Sequence, residues 1–153
     1  MSESILPRPA VTVATVVERD GLFLLVEEET RSGLKLNQPA GHLEPGETLR
    51  AAAARETLEE TGWTVTPTAI IGIYRWDAPD TGHTFVRFSF AGVAASHEAA
   101  RPLDTGIVRA LWMSYDEVAA RRGDHRSPLV LRCIDDHRAG LRWPIDLVAE
   151  ISA

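Results

Sequence analysis

The chain has 153 residues, 44% of them hydrophobic and 25% charged, and its 22 acidic and 16 basic side chains give a formal net charge of −6. The length suits one domain, and the composition is that of an ordinary globular protein, not of a disordered or fibrous chain. It has no basic stripe of the kind that grips a nucleic-acid polymer and no apolar run near the ~20 residues that cross a membrane, so neither is an expected partner.

In chain order, residues 1–7 read as a flexible tail and residues 8–153 as a single domain. Val11 to Val17 is dense in β-branched residues and predicts a buried strand. Asp20-Gly21 is a strong turn signal, and the apolar run Leu22 to Val26 completes a hairpin. Glu27 to Gly33 is polar and reads as loop. Leu36 to Gly41 reads as a short strand ending where Pro39 removes a ladder donor. Glu44-Pro45-Gly46 carries the residues of a type II turn. Thr48 to Thr61 lacks Gly and Pro and is rich in alanine, which predicts a helix with Gly62 just past its end.

Ala69 to Trp76, Phe85 to Gly92 and Ile107 to Met113 read as further strands. Ser114 with Glu117 forms a capping box for a short helix, and Ser127-Pro128 repeats the N-terminal signature for a helix closed by Gly140. Trp143 to Val148 reads as a final short strand. With no repeat and no long linker, the economical fold class is α+β, a mixed sheet with helices on its faces.

The helix at Thr48–Thr61 is unusual. At 100° per residue, Leu49, Ala52, Ala53, Glu56 and Glu60 share one stripe, so two glutamates continue an apolar face. Glu56 and Glu60 are like charges at i, i+4, and Glu59 joins them in the last turns, where the helix dipole disfavours anions by about 0.3–1 kcal/mol each. No lysine or arginine lies four residues beyond any of them. A divalent cation would reverse all of these penalties together, since hard ions take oxygen ligands. The geometry by itself leaves a metal site and a solvated charged face both open.

The spacing upstream narrows the choice. Gly41, Glu47, Arg55-Glu56, Glu59-Glu60 and Gly62 stand at fixed intervals in GHLEPGETLRAAAARETLEETGW, residues 41–63. This segment resembles the Nudix box, and chance agreement at seven such positions is on the order of 10⁻⁸. Thr57 departs from it, standing where the family has a bulky aliphatic residue. The wider order of elements resembles the Nudix fold, an α/β/α sandwich around a mixed sheet. Asn37 to His42, Trp76 with Ala78 to Asp80, Arg87-Phe88 and Arg126 to Val130 are similar to the family's phosphatase NudJ subgroup.

The resemblance implies an enzyme that hydrolyses phosphoanhydrides of nucleoside tri- and diphosphates, or of a small pyrimidine or thiamine-type pyrophosphate, using Mg²⁺ or Mn²⁺. It makes Glu56 and Glu60 metal ligands and Glu59 a third ligand or the group that acts on the water. The Ala40 carbonyl is a further ligand. Gly41, Glu47 and Arg55 support the junction of loop and helix, with Glu47 and Arg55 as an ion pair. The general base is a box glutamate in some members and a later carboxylate in others, here Glu98, Asp104 or Glu117. A box glutamate is favoured, since Glu117 is accounted for by its capping box.

Substrate contacts are sought among Trp76, Arg87 and Arg126. Trp76 stands between a strand and a Pro-containing loop, a place for stacking on a ring, although a core role is commoner for tryptophan. Arg87 shares a strand face with Phe85 and Ser89, where it grips a phosphate or pairs with an acid. Arg126 precedes a helix N-terminus. With Lys35 as the only lysine, an enzyme for anionic substrates built this way leans on guanidinium forks and metal ions. The lone Cys133 and a start without a secretory pattern make the cytoplasm the expected compartment, and the resemblance implies a monomer or homodimer. The rival reading is a catalytically silent Nudix-like module that senses a nucleotide. Such a module would be expected to lack box carboxylates, and this chain has them all.

Overall fold

The computed structural model describes residues 8–151, so the tail expected over residues 1–7 lies outside the described residues. Among these, seven strands and three α-helices follow in the order β1 (Ala10–Arg19), β2 (Leu22–Thr30), β3 (Gly33–Asn37), β4 (Ala40–His42), α1 (Leu49–Thr61), β5 (Trp63–Asp77), β6 (Thr84–His97), β7 (Ile107–Ser114), α2 (Tyr115–Ala120) and α3 (Leu129–Arg138). The sheet is mixed, with strand order β3-β2-β1-β6-β5; β4 pairs with β1 and β7 with β2.

The β1–β2 turn has φ of +52° at Asp20 and +77° at Gly21, the left-handed pair that a two-residue hairpin loop requires. β1 lies parallel to β6 from Ala10 to Val17 along one edge. Its other edge is divided, with Thr12 to Ala14 pairing with β4 and only Glu18 and Arg19 pairing with β2. The sheet therefore forks along β1, and the segment leading into β4 runs through the fork, where the Pro39 carbonyl accepts the Thr15 N–H.

Apolar side chains fill both faces. α1 packs Leu49, Ala52 and Ala53 onto Val13, Ile70 and Phe90. On the opposite face α3 packs Val130, Cys133 and Ile134 with Val16, Leu25, Leu36 and Ile71. This is the α/β/α sandwich, with the forked sheet as its middle layer.

Several elements differ from the sequence reading, beginning with the strand expected over Leu36 to Gly41, which is divided at Gln38-Pro39 into β3 and β4. β2 continues through Glu27 to Thr30, where a loop was expected. Glu27 is only 4% exposed, a position a carboxylate holds because Arg109 (2.7 Å) and Arg121 (2.6 Å) both bond to it. β5 and β6 are also longer than expected. Pro67 is accommodated in β5 because that strand is an edge and its register shifts between Pro67 and Ala69. Residues 143–148 form no strand. Trp143 makes one bridge to Ile70, Pro144 offers no further donor, and Ile145–Leu147 turns as a 3₁₀ helix.

Thr57, the departure within the box, is fully buried on α1. Its hydroxyl donates to the Ala53 carbonyl (2.8 Å) and meets the Thr15 hydroxyl across the fork (2.8 Å). A hydrogen-bonded threonine pair thus replaces an aliphatic contact. Thr57→Val should cost about 1–3 kcal/mol by leaving the Thr15 hydroxyl alone in the core, while Thr15→Val with Thr57→Val should recover most of that loss. Urea unfolding of the variants measures this, and equal losses in the single and double variants would refute it.

Candidate active site

Helix α1 is placed by its ends. The Thr48 side chain caps the Ala51 N–H (3.1 Å), and Gly62 closes the helix at φ +74° with its N–H on the Leu58 carbonyl. The last two turns then lie beneath β4. Gly41 on β4 sits directly over Glu56, so closely that a Cβ there would overlap the Glu56 carboxylate. Glycine at the head of the box is thus explained by close approach.

The neighbouring residue anchors Glu60. Pro39 and Leu43 bond to β1 on either side of the Gly41–Val13 pair, and antiparallel alternation turns the Ala40 N–H away from β1, toward α1. The Ala40 N–H donates to Glu60 Oε1 at 2.7 Å. Glu60 is only 6% exposed. Burial, reinforced by the nearby Glu56, Glu28 and Asp104 carboxylates and opposed by the Ala40 bond, pushes its pKa up to about 8. Glu56 is raised as well, chiefly by burial, with Arg55 opposing.

Glu56, Glu59 and Asp104 each offer a carboxylate oxygen, all within 4.8 Å of one another. Asp104 is brought there by the backbone, since its N–H donates to the Glu59 carbonyl (3.0 Å). This concentration of hard oxygen donors is the donor chemistry that a divalent ion such as Mg²⁺ takes.

Arg55 ties the parts together. It grips Glu47 through two hydrogen bonds (2.9 and 2.7 Å) and donates to the His42 carbonyl (3.1 Å). Its remaining nitrogen meets Glu56 (2.9 Å) and Glu59 (3.1 Å). Glu47 in turn accepts the Glu44 N–H (2.8 Å) beside Gly46, whose φ of +82° suits the type II turn. The Arg55 hydrogen bond holds Glu47 below the usual carboxylate range.

The three residues considered for substrate contacts lie on the α3 side of the fork. Arg87 is 7% exposed and donates to Gln38 Oε1 (3.3 Å) and Asn37 Oδ1 (3.5 Å), in the segment just before β4. Trp76 is partly buried against the α3 core and stacks on Phe85, with ring centroids 5.7 Å apart. Arg126 is half-exposed; its N–H donates to the Leu36 carbonyl and its Nε lies 3.6 Å from Glu28 Oε1.

The sequence reading missed two features of this site. Glu28 falls in the segment expected as loop, because three consecutive glutamates carry no apolar–polar alternation to mark a continuing strand. Asp104 was weighed only as a possible base, and no local pattern shows that its backbone meets the end of α1.

Comparison with known proteins agrees with this geometry. The family profile described as NUDIX domain matches residues 6–133. Phosphatase NudJ of Escherichia coli (strain K12) is 41% identical over 145 residues, spanning 95% of this chain and 94% of its own. The solved structure of a NUDIX hydrolase from Nitrosomonas europaea has a TM-score of 0.92 at 51% identity, covering 94% of this chain and 98% of that one. A MutT protein from Methanosarcina mazei Go1, 24% identical with a TM-score of 0.69, covers 90% of this chain and 99% of its own and shares the fold. With the profile over most of its length and relatives this similar from end to end, the chain belongs to the Nudix family and is a Nudix hydrolase.

Proposed function

We propose that the chain is a single-domain, Mg²⁺-dependent hydrolase, with Mn²⁺ as a substitute, that cleaves phosphoanhydride bonds by attack of an activated water. The proposed substrates are nucleoside tri- and diphosphates, or a small pyrimidine or thiamine-type pyrophosphate. The observation that carries this reading is the convergence of Glu56, Glu59 and Asp104 oxygens within 4.8 Å, beside a buried Glu60.

Glu56, Glu60 and Glu59 would hold the ion, with the Ala40 carbonyl as a backbone donor and Asp104 added from the later loop. A bound divalent ion supplies neutralisation of the anhydride oxygens and lowers the pKa of a water it binds. Arg55 fixes the Glu56 and Glu59 carboxylates so that they are aligned before substrate arrives. Glu59 is the more exposed of these two and the better placed to take the water's proton; Asp104 is the competing base. Gly41, Glu47 and Arg55 hold the turn against the helix. The buried, free Cys133 supports a reducing compartment, the cytoplasm, and a monomer or homodimer suffices because every group invoked comes from one chain.

The test is phosphate release from a panel of nucleoside tri- and diphosphates and thiamine diphosphate, with Mg²⁺, with Mn²⁺ and with EDTA. Turnover is expected with either ion and none with EDTA. Turnover indifferent to EDTA would overturn the reading, and nucleotide binding without turnover would favour the silent sensor module.

A further inference from the structure

Arg87 is a charged group near the site that the proposed chemistry leaves unexplained. Its residue is more than nine-tenths buried, and no carboxylate oxygen among the described residues lies within 4.0 Å of its guanidinium. Among the described residues it donates to the neutral amides of Gln38 and Asn37, at the long distances of 3.3 and 3.5 Å, and the Cys133 thiol lies beside it. Its Nε is buried and has no hydrogen-bond partner among the described residues. Arg55 and Arg121, both partly buried, each meet two or more carboxylates. The neighbouring polar groups provide no counter-charge. Burial raises the Cys133 thiol and the Tyr74 hydroxyl, which keeps both neutral. A buried charge without a partner is costly, and one that persists is explained by an anion that arrives with a ligand.

Position indicates which anion. Arg87 lies on the face of β6 that carries Phe85, opposite Tyr74, with the Trp76–Phe85 stack two residues along the strand. On its other side, Gln38 is two residues from Ala40, and their Cα atoms are at most about 7 Å apart. Arg87 therefore stands between an aromatic pair and the segment that leads to the Ala40–Glu60 contact.

We propose that Arg87 is the receptor for a second phosphoryl group of the substrate, the one the acidic cluster does not hold. Gln38 and Asn37 contact the guanidinium only at long distance, so a phosphate oxygen can displace them and reach the unpartnered Nε–H, which they help to close off from solvent. This rests on the hydrolase reading above and deepens it. The enzyme selects compounds with at least two phosphoryl groups over phosphate monoesters through Arg87, separately from metal binding.

Two measurements on Arg87→Gln and Arg87→Lys test it. In steady-state hydrolysis of GTP and thiamine diphosphate with Mg²⁺, Arg87→Gln should raise KM at least tenfold with kcat changed less than threefold. Arg87→Lys, which keeps the charge but loses the fork, should fall between. In EDTA, where no ion bridges ligand to the carboxylates, 10 mM inorganic phosphate at matched ionic strength should raise the wild-type Tm by about 4 °C and leave Arg87→Gln unmoved. The ligand-free Tm of Arg87→Gln should equal or exceed the wild-type value. A structural arginine gives the opposite pattern, a lower Tm with unchanged KM and equal phosphate shifts, and that result would overturn the proposal. If the wild type fails to hydrolyse any substrate, the hydrolase reading fails, while the phosphate shifts still decide the role of Arg87.

Discussion

A Glu60→Gln enzyme is expected to lose roughly 10³-fold in turnover while its metal-free form melts at or above the wild-type temperature at pH 8. The amide is nearly isosteric, and its oxygen still accepts the Ala40 N–H, so the junction of β4 and α1 survives. What disappears is a charge that the site can hold only at a cost. Burial raises the Glu60 pKa to about 8 in the folded protein, against 4.5 for the exposed group. Between those values the native state keeps a proton that the unfolded chain has released, so stability falls as pH rises across that window. The stabilisation is complete below about pH 4.5 and gone above about pH 8, a difference of several kcal/mol. Calorimetry in EDTA at pH 5, 6.5 and 8 should show that decline in the wild type and a flatter profile in Glu60→Gln. Binding of a divalent ion should release a proton near neutral pH and restore the wild-type melting temperature. Turnover within tenfold of wild type would move the chemistry away from this carboxylate.

Gly41→Ala is expected to separate stability from activity. The new methyl would meet the Glu56 carboxylate, which is the mobile end of a long side chain and can swing aside. Gly41 has no left-handed backbone to lose, so little folding energy is at stake and a fall of only a few degrees in Tm is expected. Displacing Glu56 breaks its 2.9 Å contact with Arg55 and spoils the alignment with Glu59 and Asp104. An error of about 1 Å in a catalytic group costs on the order of 10²-fold. Mn²⁺ titration calorimetry should show at least tenfold weaker binding, and kcat should fall about 10²-fold. Wild-type metal affinity in this variant would mean that Glu56 does not hold the ion.

How much of this could be read in advance depended on how far apart the cooperating residues lie. The helix at Thr48–Thr61, its Thr48 cap and its Gly62 stop were legible because each signal lies within one or two turns of its effect. The three box glutamates fell on a predictable part of the helix surface for the same reason. Arg87 could be assigned to the face of Phe85 and Ser89, because strand alternation is local. That no acid meets it there depends on β6 lying beside β1 and beneath the Asn37–Gln38 segment, which no pattern within the strand reports. Glu27 and Glu28 were misread because carboxylates in sequence resemble loop. In the structure two arginines from β7 and the end of α2 make an inward glutamate tolerable.

The consecutive residues thus specify turns, caps, helix faces and the spacing of the carboxylates, because these arise from steric and hydrogen-bonding preferences over three or four positions. The fork in β1, the contact of Asp104 with the end of α1 and the raised pKa of Glu60 arise only in the folded molecule. Long-range strand register determines which charges are taken out of water and which are left without a partner, and desolvation acts on a group only once its surroundings are assembled.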